Sequence, residues 1–87
     1  MKNLTLTNLK DLGMNWTKGT AGDFTFQIKH FDEGSEYGID NGRISKLEIR
    51  DKENRIHANF DRGWDVQPTR DFPELLEAYA AIIAEFN

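Results

Sequence analysis

The stretch YGIDNGRISKLEIRDKENRIHANFD, residues 37–61, decides the fold because it is typical of two consecutive β-hairpins. The pair Asn41-Gly42 favours a type I′ turn, whose two central residues both need a positive φ. Strands are predicted on either side of this turn, over 37–40 and 43–50. The first half of the stretch therefore predicts a tight hairpin.

The second half predicts another hairpin around a polar turn. Residues 51–54 contain no apolar side chain and include turn-forming residue types. In the strand predicted over 55–61, Ile56, Ala58 and Phe60 alternate with polar residues. This alternation indicates one buried face and one solvated face.

The strand between the two turns has a break in its alternation. Leu47 and Ile49 share one face, whereas Ile44 is out of phase with them. A β-bulge near Ser45 would restore the phase, because a bulge adds one residue to one strand. The alternative is that Ile44 packs on the other face beneath a loop.

The preceding part of the chain predicts a third hairpin over residues 14–31. It consists of a short strand over 14–18, a glycine-rich turn over 19–23 and a long strand over 24–31. The long strand is dense in aromatic and β-branched residues, which favour sheets. Residues 1–12 are spaced for neither a clean strand nor a long helix, so we expect an irregular or partly paired arm anchored by one or two leucines.

The end of the chain predicts an amphipathic helix, because its apolar side chains recur with the helical period. These side chains are Phe72, Leu75, Leu76, Tyr79, Ile82, Ile83 and Phe86. Asp71 can cap the helix, with Glu74 three residues later in the capping-box position. Pro73 fits the first turn, although it disfavours helical geometry at Phe72. We expect the helix to cover the sheet.

Together these elements predict a single α+β domain over residues 1–87. Its predicted architecture is an antiparallel meander sheet of four to five strands with one C-terminal helix packed on one face. The absence of cysteine excludes disulfides and thiolate metal sites and suits a reducing cytoplasm. The sequence contains no membrane-spanning run and no metal or cofactor motif. We therefore expect no membrane partner, no metal and no cofactor.

The charge distribution is acidic overall. A net charge of −4 argues against direct nucleic-acid binding, since nucleic-acid binders normally carry a basic surface. Five of the eleven basic residues fall in the second hairpin and are interspersed with acids: Arg43, Lys46, Arg50, Lys52 and Arg55. We interpret this hairpin as a mixed, solvated surface.

Two loops carry the candidate binding residues. The first contains four acids and no base between His30 and Arg43, and the second places a tryptophan in a polar connection. We predict a binding rim made of Asp32, Glu33, Glu36, Tyr37, Asp40, Arg43, Arg62, Trp64 and Asp65. Tryptophan and arginine are common interface anchors. The alternatives are a solvated loop for the acids and a cap on the core for Trp64.

No pattern in the sequence indicates catalysis. There is no phosphate-binding glycine loop, nucleophile elbow or zinc-protease motif. His30 is predicted to be a semi-buried residue at the end of its strand, and His57 is predicted on the solvated face. We expect a protein without enzymatic activity.

Three blocks of the sequence resemble a known group of proteins. They are WTKGTAGDFTFQIKHF (16–31), GSEYGIDNGRISKLEIR (34–50) and ANFDRGWD (58–65). The resemblance covers about residues 14–70 and is to small uncharacterised proteins encoded by phages and prophages of Gram-positive bacteria. It implies that the protein is encoded by a mobile genetic element, and it implies no particular reaction.

The leading functional hypothesis is a small acidic interaction protein of phage or mobile-element origin. In the host bacterial cytoplasm, its acids would occupy the basic surface of a host protein that handles nucleic acid, such as a CRISPR-type defence nuclease.

Two alternatives stay open at this point. One is a protein that sequesters a nucleotide or another small ligand, with Tyr and Trp stacking and Arg gripping phosphate. Its residues would be Glu36, Tyr37, Arg43, Lys46, Arg62 and Trp64. The other is an accessory protein that forms a homodimer or larger homo-oligomer through an exposed sheet edge.

Overall fold

The computed structural model describes residues 4–87 as one antiparallel sheet with a helix against one face. The strands are β1 (Leu6–Gly13), β2 (Trp16–Ala21), β3 (Phe24–His30), β4 (Ile44–Arg50), β5 (Ile56–Asp61) and β6 (Trp64–Val66), and the helix is α1 (Pro73–Phe86). Each strand pairs with the next, in the order β1-β2-β3-β4-β5-β6. The predicted α+β meander is confirmed. Its sheet has six strands, however, rather than four to five.

The two additional strands lie where irregular chain was expected. β1 occupies much of the predicted arm and pairs with β2 through two irregularities in register, which explains its lack of clean alternation. Leu4 and Leu6 pack against the core, as expected of anchoring leucines. Residues 1–3 of the predicted arm lie outside the described residues. β6 has only three residues, too few for a periodic pattern.

The predicted hairpin at Asn41-Gly42 is wrong. Residues 37–40 form no strand, and the chain instead makes a short 3₁₀ turn over Ile39–Asn41. Asp40 and Asn41 take the left-handed backbone, with φ of 51° and 60°, whereas Gly42 is extended. The positive φ values therefore fall one residue earlier than a type I′ turn at Asn41-Gly42 requires, and β4 pairs with β3 instead.

The other two hairpins are confirmed, although the strand predicted over 14–18 runs from Trp16 to Ala21 instead. β2 runs through the predicted glycine-rich turn as far as Ala21. Gly19 lies inside β2. A glycine suits this position, because a Cβ on residue 19 would come within 2.7 Å of the Leu9 side chain and 2.8 Å of the Phe26 ring. Met14 lies outside β2, in the turn after β1, with φ 54°. At the β4–β5 turn, the Asp51 carboxylate accepts hydrogen bonds from the backbone N–H groups of Glu53 and Arg55.

The predicted bulge near Ser45 is also confirmed. Lys29 pairs with Lys46, but His30 pairs with Ile44, so Ser45 is the extra residue of β4. The bulge turns Ile44 into the core, where it is fully buried.

A second irregularity corrects the predicted position of His57. Ala58 pairs with Ile49 but Ile56 pairs with Arg50, which leaves His57 as the extra residue of β5. Ile56 is consequently 40% exposed, although its alternation predicted burial.

The His57 ring packs on the helix side instead of facing solvent. Its centroid lies 5.8 Å from that of Phe24 and 5.3 Å from that of Phe72. Its Nε2 lies 2.7 Å from an Asp51 carboxylate oxygen, so His57 closes the β4–β5 turn against the core.

The core lies between one sheet face and α1. The sheet contributes mainly aromatic and branched side chains from β3, β4 and β5, and the helix contributes Leu75, Ala78 and Ile82. Phe72, rather than the predicted Asp71, is the N-cap residue, and no side chain caps the helix. Pro73 explains this correction, because it pushes the preceding residue out of helical geometry and itself occupies the first turn.

Within residues 4–87, no helix combines the length and the apolar character that crossing a bilayer requires.

Candidate functional site

The predicted rim is built on an ordered connection between β3 and β4. We call residues 31–43 the acidic loop. Phe31 N–H donates to the Arg43 carbonyl across its ends, and Ser35 N–H donates to the Gly42 carbonyl across its middle, at 3.0 and 3.1 Å. Ile39 is buried and anchors the loop in the core.

Asn87 holds the acidic loop to the C-terminal end of α1. Its amide oxygen accepts a hydrogen bond from Ile44 N–H at 2.9 Å, and its amide nitrogen donates to the Ile39 carbonyl at 3.0 Å. Gly42 lies directly against this side chain, where a Cβ would overlap the amide. The loop is therefore fixed to both the core and the helix.

The acidic loop meets the turn between β5 and β6. The Arg62 guanidinium lies over the Tyr37 ring, 5.6 Å from its centroid, and Arg62 N–H donates to the Ser45 carbonyl. Tyr37 is nevertheless 53% exposed. The two predicted halves of the rim thus lie side by side at one end of the sheet.

The acids of the rim face solvent. Asp32, Glu33, Glu36, Asp40 and Asp65 are all exposed. Asp40 is close enough to Tyr79 for its charge to raise the pKa of that phenol, after the larger effect of burial.

Trp64 is the member of the predicted rim that belongs mainly to the core. Its ring makes edge-to-face contacts with Phe60 and Tyr79, at centroid distances of 5.0 and 5.8 Å. The interpretation of Trp64 as a cap that joins the helix to the sheet is confirmed. Tyr37 is therefore the more exposed aromatic side chain of the rim.

His30 lies beneath the acidic loop and is semi-buried, as predicted. Its Nε2 is 3.0 Å from the Thr17 hydroxyl, and its ring lies 5.0 Å from that of Phe86. Burial lowers the His30 pKa, and the charge of Arg43 acts in the same direction. Asp11 and Asp32 oppose this shift.

The six residues proposed to hold a nucleotide do not all converge. Tyr37 and Arg62 touch, but Lys46 forms an ion pair with Asp61 on the sheet face opposite the helix. Trp64 packs on the helix side. Among residues 4–87, no group of three or more His, Cys, Asp or Glu side chains is arranged to hold a metal ion.

The structure also has a second candidate surface, which was not predicted from the sequence. The sheet face opposite α1, which we call the open face, carries polar side chains from β1 to β5. One row of side chains crosses the middle of this face, and each residue in it is the cross-strand partner of the next. From β1 to β5 the row is Lys10, Lys18, Gln27, Glu48 and Asn59. The alternation in β3 and β4 indicated that such a face exists. The pairing of β1 with β2, and hence the whole row, depends on register irregularities that sequence does not reveal.

Comparisons with known proteins identify the chain at the level of family. A search of curated proteins and a search of solved structures each gave no match. The profile of one family, described as "Domain of unknown function (DUF7678)", matches residues 15–87 and thus spans β2 to α1. Because this match covers far more than half of the sequence, the chain belongs to the DUF7678 family.

Proposed function

We propose that this chain is a small, non-enzymatic interaction protein that binds a partner with a basic surface through its rim. The observation that carries the proposal is the order of the acidic loop, which presents exposed carboxylates from a fixed backbone. A loop that is already ordered pays little conformational entropy on binding, so its contacts contribute more fully to affinity.

The charge of the rim determines the kind of partner. Asp32, Glu33, Glu36 and Asp40 are exposed in one loop that contains no base between His30 and Arg43. Carboxylates presented together attract a cationic surface and speed association with it. A basic path built for nucleic acid is such a surface.

The biological context of the proposal comes from the resemblance to phage and prophage proteins. In that context, the chain acts in the cytoplasm of a bacterial host, and its partner is a host defence protein that handles nucleic acid, of the CRISPR type. Occupying the nucleic-acid path of that protein would inhibit it without any catalytic chemistry.

The test starts from the host proteins that the tagged chain retains. Lysate binding is compared at about 0.1 M and about 1 M salt, where the screening length falls from about 10 to about 3 Å. We expect a basic partner to be retained only at low salt. The association rate and Kd of that purified partner are then measured for the rim variant Asp32→Asn, Glu33→Gln, Glu36→Gln and Asp40→Asn.

The matched control removes four exposed acids near and on α1: Asp71→Asn, Glu74→Gln, Glu77→Gln and Glu85→Gln. Both variants change the net charge equally. We expect the rim variant to slow association by at least about 10-fold at low salt, with the control much closer to wild type. Equal effects of the two variants would contradict a localised rim.

A second candidate function is supported by the exposed apolar side chains of the β1 edge. Leu9, Leu12 and Met14 are 48%, 42% and 88% exposed at this edge and its turn. An unpaired edge with apolar side chains favours self-association. Sedimentation of wild type and Leu12→Lys over a concentration series tests it: a wild-type dimer that the substitution dissociates supports it, and a monomer at every concentration excludes it.

A further inference from the structure

The open face places lysines directly opposite one another twice. The sheet register pairs Lys10 with Lys18 and Lys29 with Lys46. Cross-strand partners have Cβ atoms only about 5 Å apart, and like charges at that spacing destabilise a sheet. A bound anion would reduce the repulsion within these two lysine pairs.

The open face is basic although the chain is acidic. Its charged side chains on the paired strands are Lys10, Lys18, Lys29, Lys46, Arg50, Glu48 and Asp61. Five bases against two acids give this face a charge of +3 in a chain whose net charge is −4. The remaining surface, which includes the acidic loop and α1, is correspondingly more acidic.

Both acids of the open face already form ion pairs with neighbouring bases. Asp61 lies 3.7 Å from the Lys46 ammonium, and Glu48 pairs with the Arg50 guanidinium. Over residues 4–87, Lys10, Lys18 and Lys29 have no carboxylate within ion-pair distance. The Lys29 ammonium lies 5.8 Å from the centroid of the Phe31 ring, a contact that leaves its charge without a counter-ion. All three ammonium groups can therefore bind an external anion.

Two contiguous grooves give the face its shape. A groove of about 530 Å³ runs past Lys18 and Arg50, and a smaller one of about 160 Å³ is bordered by the half-buried Trp16. Gln27 and Glu48 line both grooves. Gln27 and Glu48 thus lie between Trp16 and Lys18, whereas Lys29 is the direct cross-strand partner of Trp16.

We propose that the open face binds single-stranded nucleic acid. Its lysines would contact consecutive phosphates, while a base would stack on Trp16, a sequence-tolerant contact typical of single-strand binding. Gln27 and Asn59 can hydrogen-bond to the edges of unpaired bases. A duplex hides its base faces and cannot use Trp16 in this way. The acidic α1 of a second copy would also complement the lysines, but it offers no planar group for the groove beside Trp16.

The direct test is fluorescence anisotropy of labelled single strands of about 12 nucleotides, one DNA and one RNA, at about 50 and about 200 mM salt. Three phosphate contacts predict a salt slope of about −2, so that Kd weakens about 20-fold between these concentrations. The two oligonucleotides distinguish DNA from RNA as the ligand. A duplex of the same length should bind more weakly than either.

The lysine contacts are tested by Lys10→Gln, Lys18→Gln and Lys29→Gln combined. This variant removes like-charge pairs, so it should fold with a Tm no lower than wild type. We expect its affinity to fall at least about 10-fold at low salt and its salt slope to approach zero. The control, Lys52→Gln, Arg55→Gln and Arg70→Gln, removes three exposed bases away from the open face and should keep the slope.

The stacking contact has a separate readout. In Trp64→Phe, Trp16 is the only tryptophan, and binding should quench its fluorescence. Trp16→Leu should weaken binding by about 5- to 150-fold without changing the salt slope. An unchanged Kd in Trp16→Leu would overturn the stacking assignment.

Other results would overturn the proposal as a whole. They are no anisotropy change with either single strand, equal binding of the duplex, or equal effects of the two lysine variants. Self-association that the Lys10, Lys18 and Lys29 substitutions abolish, without any oligonucleotide binding, would assign the face to a second copy. The acidic-loop variant tests a different surface, so failure of one proposal is distinguishable from failure of the other.

Discussion

Asn87 is the side chain on which the order of the acidic loop depends most directly. It bonds to Ile44 N–H and to the Ile39 carbonyl, both of which are protected from water. We expect Asn87→Ala to lower the free energy of unfolding by about 1–3 kcal/mol, because it leaves two buried backbone groups unpaired. Urea unfolding measures this loss.

Gln67→Ala is the comparison for Asn87→Ala. Gln67 is exposed, and its side chain forms no hydrogen bond within residues 4–87. Its substitution should change stability by less than about 0.5 kcal/mol. If Asn87→Ala were equally silent, the Asn87 amide would not be an anchor of the acidic loop.

His30 makes stability depend on pH. Because burial lowers its pKa below the ordinary value of 6.5, the folded state binds fewer protons than the unfolded state. The free energy of unfolding should therefore fall as pH drops through 6.5 and below. We expect His30→Gln to flatten this dependence between about pH 8 and about pH 5, as measured by urea unfolding at each pH.

Removing a charge near His30 should change the pH dependence of stability in the opposite direction. The Asp32 carboxylate raises the His30 pKa and so offsets part of the effect of burial. Asp32→Asn should therefore steepen the pH dependence. Identical profiles for the wild type, His30→Gln and Asp32→Asn would show that other groups set the pH response.

At the scale of elements, the acidic loop needs glycine where its backbone packs on itself. A Cβ on Gly38 would overlap the carbonyl oxygen of Gly42, whereas a Cβ on Gly63 would meet nothing within 4 Å. We expect Gly38→Ala to cost about 1–3 kcal/mol and Gly63→Ala less than about 0.5 kcal/mol in the free energy of unfolding. Urea unfolding of the pair measures the difference, and equal costs would contradict the packing of the loop.

Elements that depend on local pattern could be predicted from the sequence. β3 alternates cleanly, the turn over 51–54 is polar throughout, and α1 has a long apolar stripe. The Asn41-Gly42 hairpin failed for a non-local reason. Gly34 and Gly38 allow the acidic loop to fold back on its own backbone, which no short-range signal reports.

At the scale of the whole molecule, the two charged surfaces carry charges of opposite sign and are built on different elements. The acidic loop lies at one end of the sheet and is tied to α1, whereas the open face lies on the side away from α1. The acids of the acidic loop could be grouped from the sequence because they all fall within residues 32–40. The two lysine pairs could not be predicted, because Lys10 meets Lys18 only through the irregular register of β1 and β2, and Lys29 meets Lys46 only because β4 pairs with β3.

Independence of these surfaces is itself a prediction. The four-acid rim variant should change the Kd for a single-stranded oligonucleotide less than about 3-fold, because those acids lie off the open face and are screened at moderate salt. Anisotropy titrations at about 0.15 M salt measure it. A much larger change would show that the acidic loop lies on the path of the nucleic acid.

The order of the elements along the chain has a consequence for synthesis on the ribosome. Every strand pairs with the strand made just before it, so the sheet can grow while the chain is still being translated. Within residues 4–87, however, the main cover of its apolar face is α1, which follows all six strands. A nascent chain that stalls before residue 73 would therefore display an uncovered hydrophobic sheet, the kind of surface that chaperones capture.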